Sequence, residues 1–441
     1  MTRVIRTDEE AVEVARKLAA VLADEAGVRD RERRLPEPEV AELSASGLLG
    51  ITVPAEFGGA EVSVGTLTEV FRTLAAADAS LAQIPHSHVV FLQALRLQGT
   101  EEQQRRYFAA ALAGQRFANA QSERGGRTVA DDATTLRRRT DGGYVLDGEK
   151  FYCTGALFAD WLVVRAVLAD PAEPDGPTAP DGPTAPDGPT APDGPAASGD
   201  PGANGGPAAS GGPAASGRPP AKMLAYLPRD TPGVTVRDDW DGMGQRTTAS
   251  GTVLLEQVAV DETQVVPYTP IFGAATTYGA RAQVLHAALD TGIARGALDA
   301  AVAQVARARP WFESGVERAA DEPLLIQQAG ELDILVRGAE ALLREAATAI
   351  DAAEADLTDD STARASVATA VAKVAGARAS VEVSSALFDL GGTRSAADAL
   401  NLSRYWRDAR THTLHDPTRW KVQHIGRWLL DGTPPPRHGQ L

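Results

Sequence analysis

Three hydropathy patterns follow one another along the chain. From residue 1 to 117 apolar positions recur every three or four residues, as in DEEAVEVARKLAAVLADEA and TEEQQRRYFAAALAG. That period predicts amphipathic helices. Thr7 and Glu10 stand at capping-box spacing, so the first helix should start there. PEPEVAELSASGLLG reads as a short helix closed by Gly47 or Gly50, and VGTLTEVFRTLAAADASLAQIPHSHVVFLQAL as further helix. From 118 to 270 the runs shorten and alternate around the turn signals DGG and DG, as in TTLRRRTDGGYVLDGEKFYCTGALFADWLVV. This is the pattern of strands. From 271 to 441 long alanine-rich periodicity returns, and helices of that length pack as a bundle. The expected architecture is α+β: an N-terminal α-helical domain (1–117), a middle β domain (118–270) and a C-terminal helical bundle (271–441).

One tract breaks the pattern. Residues 171–220 repeat the hexamer DGPTAP and then drift into Gly, Ala, Ser and Pro. Such a composition cannot bury a core, so a disordered insertion between two strands is expected. Loop-closure entropy grows only logarithmically with length, which makes an insertion this long tolerable.

Composition narrows the function. The formal net charge is −16 and the hydrophobic fraction 43%. An acidic chain is a poor partner for phosphate backbones, which argues against nucleic acid. Cys153 is the single cysteine, so neither an internal disulfide nor a cysteine-based zinc cluster can form. Its strand position predicts a buried, inert thiol. Charges interrupt the N-terminal stretch throughout, and no run is apolar enough to span a bilayer. A soluble, cytoplasmic protein without a membrane partner is expected.

Candidate chemistry collects in RDARTHTLHDPTRWK. Two of the seven histidines, His412 and His415, lie three apart there, on one face of a helix end. Pro417 should end that helix, leaving Asp416 to cap the next. A histidine at a helix C-terminus is favoured in its protonated form and can move a proton near neutral pH. Asp416 would orient one of the two histidines or only cap. A metal site is not expected, because Pro417 should turn Asp416 away. His86 is expected at the surface.

The order helices, β insert, bundle resembles the acyl-CoA dehydrogenase fold, and five segments carry the resemblance. FANAQSERGG (117–126) and DGEKFYCTGALFADWLVV (147–164) look like the family's two flavin-contacting segments. DGMGQRTTASGTVLLEQVAV resembles the strands closing its β domain, and DTGIARGALDAA and LGGTRSA resemble bundle segments. The glutamate base found in many members after RDAR is replaced here by His415, Asp416 and Pro417.

The ending RTHTLHDPTRWKVQHIGRWLLDGTPPPRHG and the stretch SLAQIPHSHVVFL are similar instead to a subgroup of two-component flavin monooxygenases, that of dibenzothiophene monooxygenase and the sulfur-acquisition oxidoreductases. The resemblance implies reduced FMN supplied by an NAD(P)H-dependent flavin reductase. It also implies O2, a flavin C4a-hydroperoxide, and oxygen transfer to a small organosulfur compound. It implies catalytic roles for His88, His412, His415, Asn119 and Thr154. Cofactor contacts are implied for Asn119, Ser122, Thr154, Trp240, Arg309, Gly392 and Arg394, with a homotetramer or dimer as the assembly. Neutral donors such as Asn119 and Thr154 can hydrogen-bond near a peroxide without adding charge. Two other readings stay open: an FAD-dependent acyl-CoA dehydrogenase with a relocated base, and a non-catalytic flavin-binding or scaffold protein.

Overall fold

The computed structural model describes residues 2–126, 128, 131–169 and 221–440. Seven helices come first: α1 (Asp8–Ala23), α2 (Ala26–Glu32), α3 (Glu37–Ala45), α4 (Val64–Ala77), α5 (Ala79–Gln83), α6 (His86–Gln98) and α7 (Glu101–Leu112). Thr7 caps α1 by accepting from the backbone N–H of Glu10, as its spacing predicts. Gly47, with φ of 86°, follows the end of α3 in the left-handed region where glycine carries no Cβ penalty.

Eight strands follow: β1 (Phe117–Ala120), β2 (Thr135–Arg138), β3 (Tyr144–Lys150), β4 (Trp161–Ala169), β5 (Lys222–Pro228), β6 (Val234–Val236), β7 (Val253–Val260) and β8 (Val265–Pro267). They form one sheet in the order β6-β7-β3-β2-β4-β5-β8. β1 also pairs with β4, parallel to it, with Asn119 opposite Val163. β2 continues along the same strand, with Leu136 opposite Leu168. β1 and β2 therefore lie end to end, and β1 meets the half of β4 nearer the helices. Asp132, wholly buried, pins this region through ion pairs to Arg165 and Lys222.

The remaining helices are α8 (Tyr278–Val305), α9 (Pro323–Ala355), α10 (Asp359–Gly391), α11 (Ser403–His412) and α12 (Thr418–Asp431). α8 is buried around most of its circumference, packed by α4 on one side and by α9 and α10 on others. Small residues make this possible. A Cβ at Gly292 would stand 2.5 Å from the Arg72 carbonyl oxygen, and one at Gly296 would stand 2.3 Å from that of Ala76. The two glycines of DTGIARG are thus the places where α8 and α4 touch backbone to backbone. α8 consequently carries its polar residues into the interior, where each needs a partner.

The tract 171–220 lies outside the described residues. Its flanks do not: β4 and β5 are antiparallel, Val167 faces Lys222, and the Leu168 N–H donates to the Ala221 carbonyl at 2.8 Å. The strands are already in register at the junction. Replacing residues 170–220 by a short glycine-containing turn should leave the fold intact, with a melting temperature within a few degrees of the parent. A cooperative transition lost on that replacement, in a calorimetric scan, would show that the tract supports the sheet.

Candidate active site

The histidines converge where α6, α8 and the end of α11 meet. His286 of α8 is at the centre. Its ring centroid lies 3.9 Å from that of His86, 4.2 Å from His415 and 5.1 Å from His412. His286 Nδ1 and His412 Nε2 are 3.0 Å apart. His412 Nδ1 lies 2.5 Å from Asp290 Oδ1, and Asp290 Oδ2 accepts from Lys373 Nζ of α10 at 2.7 Å. Asp290 and Lys373 are both 0% exposed, so a carboxylate and an ammonium sit in the bundle interior with only each other and His412 to replace water. Burial by itself would raise the Asp290 pKa, but the charge of Lys373 and the His412 contact outweigh it and hold the carboxylate below its usual range.

The stacked rings are neutral. Burial drives the His86 pKa down to about 4 and that of His286 well below its ordinary value, with the charge of Lys373 adding to both shifts. His415 leaves an edge open to solvent while its inner face packs on His286. Desolvation of that face, then the neighbouring His412 and the charge of Lys373, push it downward too. This reverses the expected influence of the helix end, because desolvation, with the charge of Lys373 nearby, outweighs a dipole. The rings stack rather than point at a common centre. Among the described residues no group of three or more His, Cys, Asp or Glu is placed to hold a metal ion.

His88 is elsewhere. The Phe117 N–H donates to its Nδ1 at 3.2 Å, and its Nε2–H donates to the Leu49 carbonyl at 2.8 Å. Both ring nitrogens are spent on backbone, and burial lowers its pKa to about 4. His88, expected as a catalytic residue, thus staples α6 to β1 and stands apart from the other histidines. The interior histidine is His86, expected at the surface but only 8% exposed. Its Nε2–H donates to the Ala282 carbonyl at 3.0 Å, which leaves Nδ1 as a bare acceptor. Asp416 is not the cap of α12. It is buried and pairs with Lys421 at 3.0 Å.

A second group lies at the edge of the sheet. Asn119 Nδ2 donates to the Tyr152 carbonyl at 3.3 Å, and Thr154 Oγ1 is 2.8 Å from Ser250 Oγ, which is 2.7 Å from Thr248 Oγ1. The Trp240 indole N–H donates to the Gln245 carbonyl at 2.8 Å, and the indole meets the Tyr152 ring edge-on. Ser122 bridges Phe151 across the sheet. The two groups are tied together. Asp408, one turn before His412, accepts from the Gln245 N–H at 2.6 Å. Ile84, two residues before His86, lies against Gly155.

Arg309, Gly392 and Arg394 are not brought in. All three are exposed beyond the C-terminal ends of α8 and α10, Arg394 in a short 3-10 turn (Thr393–Ala396). His286 lies 19 residues before the end of α8 (305 − 286), roughly 28 Å along the axis. One flavin cannot touch the histidines and these arginines within a single chain.

Sequence reading missed His86, His286, Asp290 and Lys373. A signal for two of them was present in AQVLHAALDTG, where His286 and Asp290 stand at i, i+4 in an otherwise apolar helix.

The comparisons with known proteins agree with this architecture. Residues 7–115 match the acyl-CoA dehydrogenase N-terminal domain and 284–420 the C-terminal domain. Dibenzothiophene monooxygenase of Rhodococcus qingshengii is 31% identical, over 97% of this chain and 95% of that protein. The chain belongs to the dibenzothiophene monooxygenase family, within the acyl-CoA dehydrogenase fold. Another relative, the probable FMNH2-dependent monooxygenase SfnC of Pseudomonas putida, is 28% identical over 96% of both chains. The FMN-bound structure of TdsC from Paenibacillus sp. A11-2 superposes with a TM-score of 0.82 at 30% identity, covering 98% of this chain and 100% of that one. The matched C-terminal domain includes His286, Asp290, Lys373, His412 and His415, so this family's bundle domain supplies most of the buried cluster.

The residues at the sheet edge fit a flavin. Both side-chain amide atoms of Gln245 are buried without a partner, beside Trp240, Thr248 and Ser250. Gln83 and Gln283, each three residues before a stacked histidine, also have a buried carbonyl oxygen without one. Unpaired groups at this density suit a polar ligand, because a closed apolar core would penalise each of them.

The histidines impose a pH signature. His86 and His88 have folded pKa values of about 4 against 6.5 unfolded, so unfolding takes up protons between those limits. Stability is full above pH 6.5 and is lost as pH falls toward 4, by roughly 3 kcal/mol per group. Replacing His88 by Leu should flatten that slope by about one proton while lowering the neutral-pH melting temperature, since two backbone groups lose their partner. A slope unchanged in thermal melts from pH 7 to pH 4.5 would contradict the assignment.

Proposed function

We propose that the protein is a reduced-FMN-dependent monooxygenase that transfers one oxygen atom of O2 to a small organosulfur compound, in the manner of the relatives named above. When bound, reduced FMN supplies the two electrons that activate O2. The chain's own residues do the rest. Asn119, Thr154, Ser250, Gln245 and Trp240 hold the flavin with neutral donors and an aromatic face. The stacked histidines meet the substrate and handle protons. His86 Nδ1 and the open edge of His415 offer neutral imidazole nitrogens, which can accept a hydrogen bond or a transient proton from a reacting group and return it. The surrounding apolar helices exclude bulk water.

The observation that carries this reading is the state of the carboxylate. An acyl-CoA dehydrogenase needs a carboxylate free to remove an α-proton. Asp290, the carboxylate of the histidine cluster, has both oxygens committed, to Lys373 and His412, and its proton affinity is depressed. Asp408 does have a raised pKa, of about 7, from burial and the nearby charge of Asp30. It lines a separate, small crevice with Asp30, Asp78, Ser80 and Thr247, a set that includes none of the histidines. The chemistry supported is proton shuttling between neutral bases.

The remaining parts follow. An NAD(P)H-dependent flavin reductase supplies reduced FMN in trans. No helix among the described residues is long and apolar enough to cross a membrane, and we place the protein in the cytoplasm. The assembly is a homotetramer or dimer. Trp311, Phe312 and Leu324, 60%, 78% and 78% exposed, cluster near Arg309 beyond α8 and form an apolar surface that a second subunit would cover. Arg309, Gly392 and Arg394 would then reach a flavin held by that neighbour.

The test supplies FMN, a flavin reductase, NADH and 18O2 to the protein with dibenzothiophene or methanesulfinate as probe. One labelled oxygen should appear in the product, the other leaving as water. His86→Ala and His415→Ala should each cut product formation by about 10²–10⁴-fold with FMN binding retained. Unlabelled substrate throughout, together with bleaching of bound FAD by an acyl-CoA, would replace this reading with the dehydrogenase one.

A further inference from the structure

The chain from Lys373 through Asp290 and His412 to His286 is more than a way of neutralising buried charge, because its hydrogen-bond polarity is fixed at one end. A carboxylate only accepts, so the hydrogen between Asp290 Oδ1 and His412 Nδ1 belongs to the histidine. That fixes the tautomer of neutral His412 and leaves its Nε2 bare. The 3.0 Å contact then requires His286 to carry its hydrogen on Nδ1 and donate it to His412. Neutral His286 is left with a bare Nε2 on the side of the ring stack. The polarity of each link follows from the one before it, starting at Asp290.

We infer that Asp290 and Lys373 are positioning residues of the histidine site: Asp290 sets the His412 tautomer, and Lys373 balances the carboxylate, so that a proton taken up at the stacked imidazoles passes through His286 to His412 and is held there. The step balances. A proton bonds to His286 Nε2, the His286 Nδ1–H bond breaks, and that proton forms the Nε2–H bond of His412. His412 is then an imidazolium facing Asp290, and the reverse transfer returns the proton. Neither end consumes an oxidant or leaves a charge unpaired. Lys373 decides how firmly the proton is held, because Asp290 is shared between the two cations.

Every charged or titratable group facing His412 bears on this. His86 comes from α6, His286 and Asp290 from α8, Lys373 from α10, His415 and Asp408 from its own segment, and Asp416 with Lys421 from the start of α12. Among them only Asp290 contacts His412 Nδ1, and only Lys373 contacts the far oxygen of Asp290. The two have opposite charges, so their removal has opposite effects.

The inference rests on the proposed function for its role in turnover but is tested without it. Histidine C2–hydrogen exchange in deuterated buffer, read by mass spectrometry with fragmentation to separate His412 from His415, reports the titration midpoint of His412. It can be measured in the full-length protein without flavin. Asp290→Asn removes an anion and should lower the midpoint by about one to three pH units. Lys373→Met removes a cation and should raise it by a similar amount. The double variant, which deletes both charges together, should return it toward the parent value, and Lys373→Arg should leave it in place. Opposite shifts with this compensation support the inference. Midpoints that move together, or do not move, overturn it, since a purely structural pair would weaken folding in both variants without opposing effects on one histidine. If one single variant does not fold, the other decides: a midpoint shifted in its stated direction supports the inference, and an unmoved or oppositely shifted midpoint overturns it. With product formation established, the pH profile of turnover should move in the same two directions. Opposite midpoint shifts in a protein that oxygenates neither probe would leave the relay standing and remove the proposed function.

Discussion

A full negative charge stands in the middle of the bundle, and the surrounding helices are arranged to accommodate it. Asp290 is beyond the reach of water, and an unpaired carboxylate there would be strongly destabilising. It is held by an ammonium from α10 on one oxygen and an imidazole from the end of α11 on the other. Removing one partner of such a pair costs about 3–5 kcal/mol, because the survivor is left charged and unsolvated. The relative placement of α8, α10 and α11 is therefore fixed at one point within hydrogen-bond tolerance. The histidines that belong to the same point are fixed with it.

Bringing α10 and α11 onto the carboxylate of α8 demands close approach, and the small residues supply it. Gly292 and Gly296 let α8 lie backbone to backbone on α4. Gly376 does the same on the other side, where a Cβ would stand 3.0 Å from Thr291 Oγ1 and 3.1 Å from the Ala287 carbonyl. The alanine-rich character of these helices thus serves polar chemistry. With larger side chains the axes would separate, and the 3.0 Å link between His286 and His412 would open. The sheet contributes from outside, through Gln245 on Asp408 and Gly155 against Ile84, so the flavin-side residues are referenced to the same helices.

Helical and strand periods were plain in the pattern of apolar residues, because each element buries one face or alternates its faces. His412 and His415 were legible for a similar reason: their spacing at a helix end survives any docking. The choice between His86 and His88 was not. Two residues apart on a helix, they point about 200° away from each other, and only the docking of α6 on α8 selects which one enters the bundle. His286 and Asp290 were written in the sequence as polar interruptions of an apolar helix. Their meaning needed Lys373, some 80 residues away. Asn119 and Thr154 came through likeness to known flavoproteins, since nothing in their local pattern separates a ligand contact from a turn residue. Arg309 and Arg394 illustrate the opposite case, because a linear motif carries no record of the length of helix between it and the rest of a site.

The junction between β4 and β5 has a consequence for how the gene can change. Strand pairing is sensitive to single-residue slips, because one step exchanges the buried and exposed faces. Between Ala169 and Ala221, however, pairing is already complete on both flanks. Near-identical hexamers of the DGPTAP type are the kind of repeat that replication gains and loses as whole units. Each gain or loss there would fall outside the paired residues of β4 and β5. The register of β4 on β5 is set by the flanks, so the length of this segment can drift without shifting that register, while the helices around Asp290 stay constant.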